Sequence, residues 1–247
     1  MRYFLKFAYN GTRFWGYQAQ KNGSTVQQTV EKALFKLLRC ATPIMGCGRT
    51  DSGVHALQYF AHFDSSIPLD QQFIYRLNNV IGPDITFQNL YPVHPTAHAR
   101  FDAISRSYSY HIDFNRNPFR QETSYFCSYA ARLDIQKMQT AAKLLLEYQD
   151  FKSFCKSKTD VKTTLCELRA SSWLFDEKEA TLTYQVTANR FLRGMIRLIV
   201  GMSLNVGKNK LSLDELTEAL EKRQILPHAL SAPAKGLFLR DILYEYL

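Results

Sequence analysis

The chain is predicted to be an α/β protein, of the α+β kind, built from two ferredoxin-like halves with the order βαββαβ. Three observations predict it. Segments with apolar residues at every second position alternate with segments whose apolar residues recur every three to four. The order of these segments over residues 1–95 returns over residues 96–247. Between the two runs, Tyr91 to Phe101 holds Pro92 and Pro95, which interrupt any regular element.

Each element has its own warrant. Arg2 to Tyr9 is a strand with Tyr3, Leu5 and Phe7 on one face. Thr25 to Leu38 is a helix whose stripe is Val26, Val30, Ala33, Leu34, Leu37 and Leu38. Thr25 and Gln28 have capping-box spacing. Thr42 to Cys47 and Leu57 to Phe63 are two strands flanking a turn at Asp51. Leu69 to Val80 is a helix with Phe73, Ile74, Leu77 and Val80 inward, and Ile85 to Leu90 is the closing strand. In the second half, Ile104 to Phe114 is a strand and Asp134 to Tyr148 a helix. Strands over Leu165 to Phe175 and Ala180 to Thr187 precede a helix over Arg190 to Asn205. An added helix near Leu213 to Lys222, with Ser212 and Glu215 as a capping box, comes before a last strand near Leu237 to Tyr246. The expected domains are therefore 1–95, carrying the Asp51 turn, and 96–247, carrying a tyrosine strand and an arginine-bearing helix.

Composition narrows the function. The 247 residues are 46% hydrophobic and 21% charged, which suits a globular protein with a sizeable core. No apolar run is long enough to span a membrane. Lys6 interrupts the apolar start, so Met1 to Phe7 is expected to be a strand and not a signal peptide. A net charge of +9 favours a polyanionic partner, nucleic acid ahead of a membrane surface. The five cysteines are odd in number and show no Cys-x-x-Cys pair, which predicts free thiols in a cytoplasmic protein. The six histidines have no metal-site spacing, and no Gly-rich phosphate cradle is present. No metal and no cofactor is expected.

The most informative run is Gly46-Cys47-Gly48-Arg49-Thr50-Asp51-Ser52-Gly53-Val54-His55-Ala56. Asp followed two residues later by Gly is turn chemistry, and a turn can hold a reactive side chain clear of its scaffold. Arg49 is placed either to favour the ionised form of Asp51 or to contact a phosphate. On these residues alone, a solvated Asx-type turn is the plainer alternative.

This run resembles the active-site motif of the tRNA pseudouridine synthases that modify uridines 38–40. Other blocks resemble that family in the same order: Tyr9-Asn10-Gly11-Thr12-Arg13-Phe14-Trp15-Gly16-Tyr17-Gln18, Thr25-Val26-Gln27, His98-Ala99-Arg100-Phe101 and Arg106-Ser107-Tyr108-Ser109-Tyr110. Ala188-Asn189-Arg190-Phe191-Leu192-Arg193-Gly194-Met195-Ile196-Arg197, continuing to Val200-Gly201, and Lys235-Gly236-Leu237-Phe238-Leu239 complete the series. Departures from the pattern are Asn10, Tyr17, Ser52, the Gln58-Tyr59 pair and Glu147. The resemblance implies a duplicated pseudouridine synthase fold with a central basic cleft, a homodimer, and tRNA as substrate. It implies isomerisation of uridine to pseudouridine, with Asp51 as the catalytic carboxylate. Tyr108 would stack on the target uracil and Arg197 would pair with Asp51. Arg49 would help draw out the nucleotide, and Leu237 would pack against the base.

Spacing adds to this. Alternation puts Arg106, Tyr108 and Tyr110 on one strand face, and Tyr110 is expected to be core. If the helix begins at Arg190, then Arg190, Arg193 and Arg197 share a face at i, i+3 and i+7. Backbone grip on RNA is expected from Lys and Arg side chains such as Arg13, Lys21, Arg100, Arg106, Lys156, Lys158 and Lys162. Two other readings stay open: the same chemistry on another RNA target, and a non-catalytic RNA-binding protein. A structural α/β dimer with incidental charge is a third.

Overall fold

A computed structural model describes residues 1–155 and 163–247. Lys156, Lys158 and Lys162 lie outside the described residues. The mixed α/β character expected from the sequence is present. Contacts group Met1–Ile104 with Phe238–Leu247 as one compact unit and Ser105–Leu237 as another.

In the first unit, β1 (Arg2–Tyr9) pairs antiparallel with β3 (His55–Asp64) on one side and β4 (Ile85–Val93) on the other. The two-residue β2 (Met45–Gly46) also pairs with β3, far shorter than the strand expected over Thr42 to Cys47. Helix α1 (Val26–Leu38) and helix α2 (Gln72–Val80) pack on one another and bury Val26, Val30, Ala33, Leu34, Phe73, Ile74 and Leu77 of the expected stripes, while Leu37, Leu38 and Val80 stay half-buried. Thr25 caps α1 by accepting from the Gln28 amide at 3.3 Å, and its hydroxyl donates to Gln28 Oε1 at 2.8 Å. Strand β4 runs through Pro92 to Val93, beyond its expected end at Leu90. Proline is tolerated there because β4 is an edge strand, and no further strand needs its N–H.

The unit boundary falls at Ile104, later than the 95/96 division, because the intervening residues bond back to the first unit. The Ala99 amide donates to His62 Nδ1 at 3.1 Å, and the Ile104 amide donates to the Leu243 carbonyl at 2.8 Å. The last strand, expected to close the second half, groups with the first unit for a similar reason. Phe238 and Leu239 of β9 (Leu237–Leu243) pair in parallel with His55 and Ala56 of β3. Tyr244 then packs edge-on against Phe4 and Phe60.

In the second unit, β8 (Thr181–Ala188) lies between β5 (Ser105–Asp113) and β7 (Leu168–Asp176), antiparallel to both. The short β6 (Tyr125–Phe126) runs parallel to β5. Helix α3 (Ile135–Leu144), capped by Asp134, packs on α4 (Met195–Gly207) and β7. Helix α5 (Leu213–Glu221) shows both bonds of the Ser212–Glu215 capping box. No helix among the described residues is long and apolar enough to cross a membrane. Cys40, Cys127 and Cys166 carry free thiols, the first exposed and the other two buried.

His62 gives this fold a testable pH dependence. The residue is 8% exposed, and burial, reinforced by neighbouring His98, lowers its pKa from 6.5 to about 4. The unfolded chain therefore binds a proton between pH 6.5 and 4 that the folded chain refuses. Stability contributed by neutral His62 is present above pH 6.5 and falls away toward pH 4, by up to about 3 kcal/mol. His62→Gln, whose side-chain oxygen can still accept from Ala99, is expected to flatten this acid limb. Urea unfolding at stepped pH measures it, and an equally steep limb in the variant would sink the assignment.

Candidate active site

The Asp51 loop joins β2 to β3 and is braced by backbone. The Val54 amide donates to the Asp51 carbonyl at 3.2 Å, closing a four-residue turn with Gly53 at φ 75°. Positive φ at the third position is the type II pattern, and it requires a glycine-like residue there. Asp51 is the first residue of the turn, half-buried, near exposed Arg49 and Ser52.

The segment after β1 holds this turn in place. The Gly53 amide and the Ser52 hydroxyl both donate to the Phe14 carbonyl, at 3.3 and 3.2 Å. The Tyr17 amide donates to the Thr50 carbonyl at 3.2 Å, and the hydroxyls of Tyr9 and Thr50 bond at 2.8 Å. His55 Nδ1 accepts from the Gly11 amide at 3.0 Å, and its ring stacks on Phe238 at 4.5 Å. A Cβ on Gly11 would lie 1.9 Å from the Val54 carbonyl oxygen. One on Gly16, whose φ is 89°, would lie 2.5 Å from the Thr50 oxygen. These two glycines let one backbone lie against another.

Beneath the loop, Tyr17 stacks on Tyr59 at 4.5 Å, and the Tyr59 hydroxyl donates to the Gly48 carbonyl. Burial raises the pKa of both tyrosines well above the usual range, so both stay neutral braces. The bracing roles of Gly11, Gly16, Tyr17, Tyr59 and His55 were not assigned from the sequence. The visible signal was the Gly11/Gly16 spacing within the Tyr9–Gln18 block.

The departures from the family pattern fit this geometry. Asn10 Oδ1 accepts from the Thr12 amide at 3.0 Å and its hydroxyl at 2.7 Å, as an aspartate could. Ser52 adds the bond to Phe14 that an alanine would lack. Gln58 Nε2 donates to the Ile242 carbonyl at 3.1 Å. Glu147 is exposed at the end of a 3-10 turn, Leu145–Glu147, whose first residue is buried.

In the second unit, β5 presents one face that is core at Tyr110 and Ile112 and half-buried at Arg106 and Tyr108. Tyr110 is fully buried, as expected, and its hydroxyl donates to the Pro233 carbonyl at 2.8 Å. Tyr108 meets the edge of Phe191 at 5.2 Å. Arg106 Nη1 donates to the Asn189 carbonyl at 2.8 Å, so this guanidinium ties β5 to the segment after β8.

Helix α4 begins at Met195, not at Arg190, because Gly194 at φ 72° breaks the helical path. Arg190 and Arg193 therefore precede the helix, and the shared face expected for the three arginines does not form. Arg197 is in the first turn, where its Nε donates to the Ala232 carbonyl at 2.6 Å. Leu237 is buried at the start of β9. The structure thus brings Arg49 and Asp51 together on one loop of the first unit. Tyr108, Arg197 and Leu237 are in the second. Of the expected RNA contacts, Lys21 and Arg100 are exposed, and Arg13 is 3.6 Å from Asp84.

Comparison with known proteins places the chain in a family. A family model described as tRNA pseudouridine synthase matches residues 141–245. The chain is 42% identical to a tRNA pseudouridine synthase A of Parabacteroides distasonis over 245 residues, covering 98% of this chain and 96% of that protein. It is 42% identical to the protein of the same name from Bacteroides fragilis, with the same coverage. The Bacillus pumilus protein is 36% identical over 244 residues, covering 96% and 97%.

Proposed function

The chain belongs to the tRNA pseudouridine synthase family, a family of isomerases, and from that premise we propose that it isomerises uridine to pseudouridine at positions 38–40 of the tRNA anticodon stem-loop. The observation that carries the reading is the Asp51 turn. A half-buried carboxylate stands on a backbone-braced corner, in a chain similar from end to end to proteins named for this reaction.

The chemistry needs no net gain or loss of atoms. The C1′–N1 bond breaks, the uracil turns, and C1′ bonds to C5. The C5 proton leaves to solvent and N1 takes one up. Asp51 either attacks C1′ as a nucleophile or removes a ribose proton to give a glycal. Arg197 orients the Asp51 carboxylate. Tyr108 stacks on the uracil, worth about 1–3 kcal/mol, which offsets part of the cost of flipping the nucleotide. Its hydroxyl assists the late loss of the C5 proton. Arg49 holds the extruded nucleotide and Leu237 packs against its base. The working form in this reading is a cytoplasmic homodimer, so sedimentation is expected to give twice the 28.6 kDa of the chain.

Tritium release from tRNA transcripts labelled at uridine C5 tests the reaction, and mapping of modified uridines tests the positions. Release only from uridines outside 38–40 would overturn the site but keep the chemistry. tRNA binding without release would favour a binding-only protein. With a net charge of +9, binding is expected to weaken about tenfold or more between roughly 50 and 200 mM salt. A flat response would remove the phosphate-contact argument.

A further inference from the structure

Gly201 stands in the middle of α4, where glycine costs about 1 kcal/mol against alanine. Such a residue calls for a packing reason. The reason lies in residues 228–236, a segment without helix or strand until its last turn. A Cβ at Gly201 would lie 1.7 Å from the Leu230 carbonyl oxygen and 2.6 Å from its carbon. One helical turn and a little more in either direction, the same segment is bonded to the same face. Asn205 Nδ2 donates to the His228 carbonyl at 2.9 Å. Arg197 Nε donates to the Ala232 carbonyl at 2.6 Å, and the Ala232 amide returns a bond to the Arg197 carbonyl at 3.0 Å. Residues 197, 201 and 205 lie at i, i+4 and i+8, so they form one row along the helix.

The segment is pinned from β5 as well. The Tyr110 hydroxyl donates to the Pro233 carbonyl, and burial raises the Tyr110 pKa, so this donor keeps its proton. Gly236 then lies against the Tyr110 ring and the His111 carbonyl, at 2.8 Å from each for an added Cβ. The carbonyl that fixes the Arg197 guanidinium is therefore set by contacts one to four residues away along the segment.

We propose that Gly201, Asn205 and Tyr110 are positioning residues for the reaction, seating residues 228–236 so that the Ala232 carbonyl fixes the Arg197 guanidinium. This rests on the role given to Arg197 under the proposed function. None of the three touches the uridine. A side chain at 201 lifts the segment from α4, and loss of the Tyr110 hydroxyl frees it on the strand side. In both cases the guanidinium loses the Ala232 carbonyl while its charge stays.

The test has two arms. In single-turnover assays with full-length protein, Gly201→Ala is expected to slow tritium release about 100-fold and Tyr110→Phe about tenfold, with tRNA affinity changed by less than about threefold. Combined with Arg197→Ala, neither should add to the loss that Arg197→Ala causes alone. In ¹H–¹⁵N spectra, the Arg197 Nε–H signal, identified by its loss in Arg197→Lys, should be exchange-protected in the wild type and exposed in both variants. Tyr110→Phe keeps the ring, so it guards against a variant that fails to fold.

Multiplicative losses in the double variants would overturn the inference, as would an unchanged Nε–H signal in both single variants. An exposed signal with full turnover would overturn it too. The spectral arm does not depend on activity, so absence of tritium release from the wild type would sink the proposed function on separate evidence.

Discussion

Asp51→Asn is expected to abolish turnover and leave tRNA bound. The substitution removes the negative charge, and with it a carboxylate able to attack carbon or take a proton and to pair with Arg197 in the proposed site. Asparagine has the same shape and tolerates the same turn. The turn itself is closed by the Asp51 carbonyl and the Val54 amide, and braced through Phe14 and Tyr17 by backbone bonds and the Ser52 hydroxyl. The loss should therefore be chemical and not structural. Removal of a reacting group typically costs on the order of 10⁴-fold or more in rate. Single-turnover tritium release should fall by that much in Asp51→Asn and Asp51→Ala alike, with tRNA affinity held within about threefold. Agreement between the two variants matters, because Ala removes the hydrogen-bonding amide that Asn retains. Multiple turnover by either would remove Asp51 from the centre of the mechanism. Loss of tRNA binding in both would instead make Asp51 part of the grip on RNA.

What the sequence made legible, and what it hid, divides along a physical line. Helices with a clear apolar stripe and a side-chain cap were legible almost to the residue. Helix α1 starts one residue after its Thr25 cap, and α5 shows the full Ser212–Glu215 box. Strand alternation correctly made Tyr110 core. Features set by backbone conformation or by distant pairing were hidden. The start of α4 depends on the φ of Gly194, which apolar periodicity cannot report. The passage of β4 through Pro92 depends on its being an edge strand. The grouping of Phe238–Leu247 with the first unit depends on pairing with β3, nearly two hundred residues earlier in the chain. The same holds at the candidate site. Asp51 and its turn were legible because Asp and Gly carry local chemistry. The brace from Gly11 and Gly16 was not, since a close approach between two backbones leaves only two glycines as its trace.

That brace yields the second large effect, because two glycines of one site should behave oppositely. Gly11→Ala is expected to be severe. Its Cβ would meet the Val54 carbonyl oxygen at 1.9 Å, and ordinary contact needs the two to part by more than an ångström. Neither side is free to give. The Gly11 amide is bonded to His55 Nδ1, and Val54 supplies the amide that closes the Asp51 turn. Overpacking of this kind costs about 3 kcal/mol. In the molecules that still fold, a shift of this size at a reacting carboxylate should cost about 100-fold in rate. Gly48 is the contrast. It lies in the same loop, has no positive φ, and an added Cβ there meets nothing within 4 Å. Gly48→Ala should leave stability within about 0.5 kcal/mol, or raise it slightly by restricting the unfolded chain. Urea unfolding of the two variants side by side, with single-turnover rates for Gly11→Ala, decides the matter. If Gly11→Ala were as stable as Gly48→Ala and kept its rate, the segment after β1 would not be what holds the Asp51 turn. If it lost the rate but kept the stability, the brace would act on catalytic geometry alone, at no cost to the fold.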